Sequence, residues 1–388
     1  MKIALDAQLL FEEQKTGVGW NATRLIETLL DDGIYEYDLF YFSKHWPLKK
    51  KREFEEHIIG PYRRKKCRVI RCGFVKSIIY RLTRRWLGIP FHFFIPTDAD
   101  VLQFFNFTIP QGIDAKTVTI VHDMAYKAIP EAVPKKTRMW LQNWLPRTCR
   151  QCSVIATVSS FSKSEIMKYL GIEKSKIEVV YSGVDTDIYR PLIDRSVIQD
   201  VLDKYHIKGK YFLYVGTLEP RKNVTKIIEA YVEYKKRSPE PAILVLVGKK
   251  GWMYDEIFRE IRDLGIEADV IITGYMKDED KRKMIQGASV FVFPSKYEGF
   301  GTPPLEAMAC GVPVISSNMS SLPEVVGEGG ILVNPDSAGE IADAMVYLMD
   351  NCNARYEMGR KAFAQAQRFT WEKNAERMRQ IYKRLSES

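Results

Sequence analysis

Two carboxylates, Glu298 and Glu306, stand eight residues apart in the stretch FVFPSKYEGFGTPPLEAMACGVP, Phe291 to Pro313. Gly299, Phe300, Gly301 and Thr302 lie between them. The apolar run Val290–Phe293 reads as a buried strand ahead of the glycines. Pro303 and Pro304 can open a helix after them, because proline is tolerated in a first helical turn. Strand, glycine-rich turn and helix N-terminus together favour an anion such as phosphate, through N–H groups and the helix dipole. Two acids would repel that anion, so hydroxyls are the better partners for them. A sugar attached to a nucleotide diphosphate carries both groups. The flanking FVFP and LEAMACGVPV are mostly apolar, which argues against two merely solvated surface acids.

Arg221 and Lys222 follow a second apolar run, Tyr211–Val215, and Gly216. They precede a helix that Asn223 could cap. Two cations at a strand-to-helix turn suit a diphosphate; from the residues alone, a solvated loop pair is an equal reading. His122 and Asp123 end the strand Thr117–Val121, where an α/β site would lie. A lone histidine is usually structural, and only this position lifts it. Gly17-x-Gly19-x-x-Ala22 formally fits a dinucleotide fingerprint. That fingerprint should follow its strand at once and have an acid ending the next strand. Here about ten residues intervene, and Asp38 starts its strand, so an oxidoreductase is disfavoured. Cys149 and Cys152 form one C-x-x-C, with no second pair at zinc spacing. Reduced, partly buried thiols are expected, and no metal site.

The elements that must position these residues alternate strand and helix, which argues for parallel α/β domains. The spacing predicts strands at Lys2–Ala7, Asp38–Phe42, Val101–Phe105, Thr117–Val121, Val154–Val158 and Ile177–Val180. Helices are expected at Asn21–Leu30, Lys135–Arg150 and Ser162–Leu170. After Pro191 the pattern restarts, with strands at Tyr211–Val215, Ala242–Val247, Asp269–Thr273, Val290–Phe293, Val314–Ser316 and Ile331–Val333. Its helices are expected at Val224–Lys236, Asp255–Leu264, Lys281–Gln286 and Ala338–Asp350. A chain of 388 residues is too long for one core, so two domains follow, residues 1–188 and 189–369. No run reaches the roughly 18 apolar residues of a membrane span. The start, MKIALDAQLLFEE, meets polar residues too early for a signal peptide.

Charge is concentrated. From Lys44 to Arg85 there are 15 Lys and Arg against three acids, a net of +12, whereas the whole chain carries +9. Within this segment, Phe74–Gly88 puts Phe74, Val75, Ile78, Ile79, Leu82 and Trp86 on one helical face. Arg81, Arg84 and Arg85 lie elsewhere. A basic amphipathic helix with a tryptophan suits an anionic membrane surface. A core-facing helix with a solvated basic side is the alternative. No nucleic-acid module accompanies the charge, and no nucleic-acid partner is expected.

Five stretches together resemble the family 4 retaining glycosyltransferases: YSGVDTDIYRP (Tyr181–Pro191), VGTLEPRKN (Val215–Asn223), ITGYMKDEDKRKMI (Ile272–Ile285), the Glu-x7-Glu stretch, and PEVVGEGGILVNP (Pro323–Pro335). The motif pattern is closest to bacterial mannosyltransferases of surface polysaccharide synthesis. Coverage is dense from about residue 115 onward. The resemblance implies a GT-B fold, two Rossmann-like domains facing across a cleft, with the C-terminal helix 370–388 packing back on the acceptor-side domain. It implies that Lys222, with Arg221, holds the leaving diphosphate, Glu298 the donor sugar and Glu306 the ribose. His122 would contact a sugar hydroxyl or phosphate. Gly17 and Gly19 would form a flexible first loop near the donor. Gly216, Thr217, Gly299, Phe300, Gly301 and Thr302 would line the donor, with Tyr275 and Met276 beside the base. Thr217 stands where many relatives have a further basic residue, which puts more weight on Lys222.

The implied activity is metal-independent hexosyl transfer with retained configuration and no separate cofactor. The donor is expected to be GDP-mannose, with dTDP-rhamnose or a UDP-hexose next. The acceptor is expected to be an oligosaccharide or lipid-linked glycan, and the place of action the cytoplasm, peripheral to the inner face of the plasma membrane. A non-catalytic basic membrane-surface module and a sugar-nucleotide epimerase or phosphorylase are the competing classes.

Overall fold

The computed structural model describes residues 1–12, 15–43, 55–63, 67–83, 89–192, 194–239, 241–251 and 254–387. The chain divides into two units, Met1–Gly183 with Trp371–Ser388, and Val184–Thr370. Each is built on one parallel sheet.

In the first unit β1 (Lys2–Asp6), β2 (Glu36–Phe42), β3 (Cys67–Cys72), β4 (Val101–Phe104), β5 (Lys116–Val121), β6 (Val154–Thr157) and β7 (Ile177–Val179) lie in the order β3-β2-β1-β4-β5-β6-β7. In the second, β8 (Tyr211–Val215), β9 (Ile243–Val247), β10 (Val270–Gly274), β11 (Val290–Phe293), β12 (Val314–Ser317) and β13 (Gly330–Val333) lie in the order β10-β9-β8-β11-β12-β13. Strands covered on both faces read as continuous apolar runs. Ile3, Ala4 and Leu5, and all of Tyr211–Tyr214, are fully buried. The larger aliphatic and phenylalanine side chains among them, Ile3, Leu5, Phe212 and Leu213, each contribute about 1.5–3 kcal/mol by leaving water. Strand order reverses between β1 and β4 and between β8 and β11, and ligands of open α/β sheets bind at such points, beyond the strands' C-terminal ends.

Three differences from the sequence reading have physical causes. The helix expected from Asn21 runs from Gly17 to Asp32, because the Thr16 hydroxyl accepts from the Gly19 N–H at 3.3 Å and caps it there. Gly17 and Gly19 are therefore in its first turn and not in a loop ahead of it. β3 was not anticipated, because CRVIRC sits in the basic run. It is an edge strand, where charge is a natural protection; the exposed Arg68 pairs with the buried Asp38 carboxylate (2.6 Å), while Ile70 and Cys72 are buried. The helix Cys352–Ala366 was also missed, because its buried face is only Gly359, Ala362 and Ala366, too small to register as an apolar stripe.

The amphipathic helix forms over Phe74–Thr83. Its inward residues are Ser77 and Tyr80, both buried, and Tyr80 stacks on Phe42 at 4.3 Å. The expected apolar face points outward: Phe74, Ile78 and Ile79 are exposed, and Val75 and Leu82 are 67% and 69% exposed. Arg84, Arg85 and Trp86, and the side chain of Arg81, lie outside the described residues. Among the described residues no helix is long and apolar enough to cross a membrane.

Candidate active site

The loops after β8 and β11 flank the strand-order reversal of the second unit, and they carry Arg221, Lys222 and Glu298. Backbone bonds stitch them together. The Lys296 N–H donates to the Arg221 carbonyl at 3.0 Å. Asn223 adopts a left-handed conformation (φ +61°), and its side-chain amide donates to the carbonyls of Pro294 (3.1 Å) and Pro335 (2.6 Å). The expected capping role of Asn223 is thus corrected. It stands at the N-cap of the helix Val224–Arg237 without a side-chain cap bond, and it instead joins the loops after β8, β11 and β13.

Glu298 is buried, 7% exposed. Its Oε1 lies 2.5 Å from Lys222 Nζ and accepts from the Ser295 hydroxyl at 2.7 Å. Its Oε2 lies 3.1 Å from an Arg221 nitrogen. Burial pushes this carboxyl up, but Lys222, Arg221 and the Ser295 hydroxyl outweigh burial and hold it at about 2. Glu298 is therefore an ionised acceptor. Burial pulls the Lys222 ammonium below the usual lysine range, against the opposing pull of Glu298; its Nζ also sits 5.1 Å from the Phe293 ring centroid. Arg221 is held further by Glu219 (2.9 Å) and the Tyr297 carbonyl (2.7 Å).

Two serines fix the Glu298 backbone. Its N–H donates to the Ser320 hydroxyl at 3.0 Å, and the Ser321 hydroxyl donates to the Glu298 and Phe300 carbonyls at 3.0 and 2.8 Å. Gly301 follows at φ +110°, where a Cβ would meet Leu322 at 2.8 Å; only glycine tolerates this turn. The helix Thr302–Ala309 begins there with its prolines in the first turn. Pro303 and Pro304 lack N–H groups, so this helix N-terminus offers an anion fewer donors than the sequence pattern suggested.

Glu306 forms a second group. Lys281 Nζ lies 3.2 Å from both of its oxygens, and the Tyr189 hydroxyl hydrogen-bonds it. Burial and the Glu306 charge push the Tyr189 phenol up. Burial alone would lower Lys281, but Glu306 and Asp278 raise it, so the ion pair is retained. Met276 is buried and Tyr275 is 61% exposed, after Gly274. Gly216 and Thr217 are half-buried after β8, and the Tyr214 hydroxyl donates to the Thr217 carbonyl at 3.0 Å.

Lys281, Tyr189, Ser295, Ser320, Ser321 and Glu219 were missed from sequence. Lys281 is one cation in the charged run KDEDKRK, where nothing in the pattern separates it from its neighbours.

Gly17, Gly19 and His122 belong to the first unit. His122 is buried after β5, and its Nε2 is 2.9 Å from the Phe105 carbonyl. A carbonyl only accepts, so Nε2 carries the proton. Burial lowers the ring's pKa and keeps it neutral, which leaves Nδ1 as an acceptor. Cys149 and Cys152 are buried free thiols pushed up by burial. Among the described residues no three His, Cys, Asp or Glu side chains form a group able to hold a metal.

Sequence comparison matches residues 203–365 to "Glycosyl transferases group 1" and residues 16–188 to "Glycosyltransferase Family 4". The chain is 34% identical over 285 residues to the O-antigen chain mannosyltransferase B of Escherichia coli, covering 72% of this chain and 73% of that protein. It is 30% identical over 295 residues to the serotype-specific mannosyltransferase WbdA of Escherichia coli, covering 73% of this chain and 35% of that much longer protein. The fold matches the crystal structure of Anabaena Alr3699/HepE in complex with UDP and glucose, with a TM-score of 0.71, 18% identity and coverage of 98% of this chain and 99% of that one. Two parallel α/β units of this kind constitute the GT-B fold. With both halves and the reversal-point cluster accounted for, the chain belongs to the group 1, family 4 glycosyltransferases.

Proposed function

We propose that this glycosyltransferase moves mannose from GDP-mannose to a glycan acceptor in surface polysaccharide synthesis, with retained configuration. The observation that carries the reading is the cluster Lys222–Glu298–Arg221. A carboxylate held at about 2 can only accept, so it suits sugar hydroxyls, while two cations within 3.1 Å of it suit a diphosphate. In a nucleotide sugar these groups are neighbours across the anomeric bond. Glu306 would take the ribose hydroxyls, with Lys281 and Tyr189 fixing its carboxylate. Tyr275 and Met276 would border the base, and Gly216, Thr217 and Gly299 to Thr302 the phosphates and sugar. His122, neutral with an open Nδ1, would accept from a hydroxyl. Gly17 and Gly19 would approach the donor from the first helical turn. The mannosyl assignment follows the relatives named above.

As the bond from the anomeric carbon to the phosphate oxygen breaks, the acceptor oxygen bonds to the same face of that carbon. Its proton passes to the departing phosphate oxygen. Lys222 and Arg221 stabilise the charge on the leaving diphosphate, an effect that commonly dominates such catalysis. Glu298 is a poor candidate for nucleophile, since both its oxygens are engaged and its basicity is low. Catalysis would need no metal and no cofactor beyond the donor.

A second reading concerns place of action. The outward apolar face of the helix Phe74–Thr83, beside Phe93, which is 54% exposed, supports peripheral attachment to an anionic membrane at the cytoplasmic face.

A thermal-shift panel of GDP, UDP, dTDP, ADP and their sugars, each with and without EDTA, tests the donor. A ligand at 100 times its dissociation constant adds about 2.7 kcal/mol. A selective GDP shift indifferent to EDTA is expected. A selective UDP or dTDP shift would replace the donor, and turnover abolished by EDTA would refute metal independence.

A further inference from the structure

At left-handed positions this chain mostly carries glycine. Among the described residues nine glycines have positive φ, and only four other residues do: Phe107, His206, Asn223 and Ser320. A residue other than glycine is costly there and persists only where its surroundings over-determine it, which is why such residues collect at functional sites. Three of the four stand beside a candidate residue of their own unit. The centroid of the Phe107 ring is 5.5 Å from that of His122, Asn223 follows Lys222, and Ser320 meets Glu298. His206, which follows the short helix Gln199–Lys204, is the exception.

Ser320 (φ +57°) lies in the loop between β12 and the helix Leu322–Val326. Its hydroxyl accepts from the Glu298 N–H at 3.0 Å, while the fully buried Ser321 donates to the Glu298 carbonyl at 3.0 Å. Adjacent side chains point apart in strands and helices alike. A left-handed residue turns the chain between them, so that both hydroxyls address one residue. The loop is itself anchored. The Asn318 N–H donates to the Val333 carbonyl at 2.9 Å, the Met319 N–H to the Ser317 hydroxyl at 3.0 Å and the Leu322 N–H to the Met319 carbonyl at 3.3 Å. Leu322 in turn fills the space beside Gly301. A glycine at position 320 would adopt the same backbone without strain, but it could not hold the Glu298 N–H.

We infer that Ser320 is a positioning residue for the transfer reaction. Its strained backbone brings an acceptor to the Glu298 N–H and so sets where the Glu298 carboxylate stands against Lys222 and Arg221. The inference rests on the reading that Glu298 accepts from the transferred sugar. The Glu306 group does not depend on it, since Lys281 and Tyr189 hold that carboxylate through bonds outside the 318–322 loop. A reacting geometry displaced by about 1 Å can slow turnover by about 10²-fold. Stability and turnover are therefore opposed at one residue: exchanging the serine for glycine relaxes the backbone and releases the carboxylate's anchor.

The test compares Ser320→Ala and Ser320→Gly with the parent, all as the full chain. Both variants lose the hydroxyl, and only alanine keeps the strain. Turnover is read as nucleoside diphosphate released from GDP-mannose, UDP-glucose and dTDP-rhamnose, with methyl α-mannopyranoside as acceptor. Denaturant midpoints and nucleotide thermal shifts are read beside it. Ser320→Gly should have the higher midpoint of the two variants. Both should show kcat lower by about tenfold or more, with the donor KM and the nucleotide thermal shift unchanged. A role confined to folding gives a different pattern, in which kcat follows the midpoint and recovers in the glycine variant. That recovery, parental kcat in either variant, or a nucleotide shift lost together with kcat would overturn the inference. So would a midpoint no higher in Ser320→Gly than in Ser320→Ala. A parent that turns over another of the three sugar nucleotides in place of GDP-mannose replaces the donor proposed above and leaves this comparison intact. A parent that turns over none of them removes the transfer reading and the role of Ser320 with it.

Discussion

Glu298 is an acid that its surroundings forbid to act as one. Lys222, Arg221 and Ser295 hold it ionised, and it in turn allows two cations to sit in a half-buried loop. Removing its charge but not its shape separates the two roles. Glu298→Gln should lower kcat by about 10²–10³-fold, the scale of losing one electrostatic contact in a transition state, while GDP still binds. Lys222→Ala should lose both turnover and GDP binding. Steady-state kinetics with the GDP thermal shift decide this, and full activity in either variant would remove the cluster from the chemistry. The same carboxylate has a pH signature. Its folded pKa, about 2, lies below the ordinary 4.5. Its stabilising contribution is therefore complete above about 4.5 and lost as pH falls toward 2, a loss that Glu298→Gln should not show. At this scale the sequence was legible where residue type is rare for its setting: an acid among apolar residues, two cations beside a glycine. Ser295 and Lys281 escaped because a serine after a strand and a lysine in a charged run look ordinary until the fold brings carboxylates to them.

At the scale of elements, the site depends on three loops sharing one bracket. The Asn223 side chain ties the Pro294 and Pro335 carbonyls to its own turn, and its backbone is left-handed, a conformation that asparagine adopts more readily than alanine. Asn223→Ala should destabilise the protein by about 2–4 kcal/mol, combining the backbone cost with two unsatisfied buried carbonyls. Asn223→Gly, which relieves only the backbone, should fall between. Denaturant midpoints read both, and an alanine variant as stable as the parent would show that the loops hold without it. Strands were legible wherever both faces are covered, since their runs are continuous. The edge strand Cys67–Cys72 was not, because its arginines face solvent, and period and charge then point to different answers. The Phe74–Thr83 helix was legible as an amphipathic helix, and its outward apolar stripe departs from the core-facing alternative; that Ser77 and Tyr80 form its buried face was not legible.

At the scale of the whole molecule, that helix sits within the segment whose net charge of +12 exceeds that of the entire chain. The combination predicts binding to vesicles of phosphatidylglycerol and phosphatidylcholine, weakening as salt screens the charge. Val75→Glu with Leu82→Glu should abolish sedimentation with the vesicles without changing the GDP shift. Absence of binding at low salt, or binding indifferent to the double variant, would sink the membrane reading. The two-unit layout was readable from the restart of strand and helix alternation after Pro191.

The helix Trp371–Ser386 belongs to the first unit although the whole second unit precedes it in the chain. It buries Met378, Ile381 and Tyr382, and the Tyr382 hydroxyl donates to Gln103 of β4, laid down far earlier. During synthesis on the ribosome, the Val184–Thr370 unit can therefore close on itself while the first still lacks its final helix. The unit made first is completed last, and a nascent chain halted before Trp371 would present the ribosome-bound quality-control machinery with an uncovered flank along the helix Gly17–Asp32.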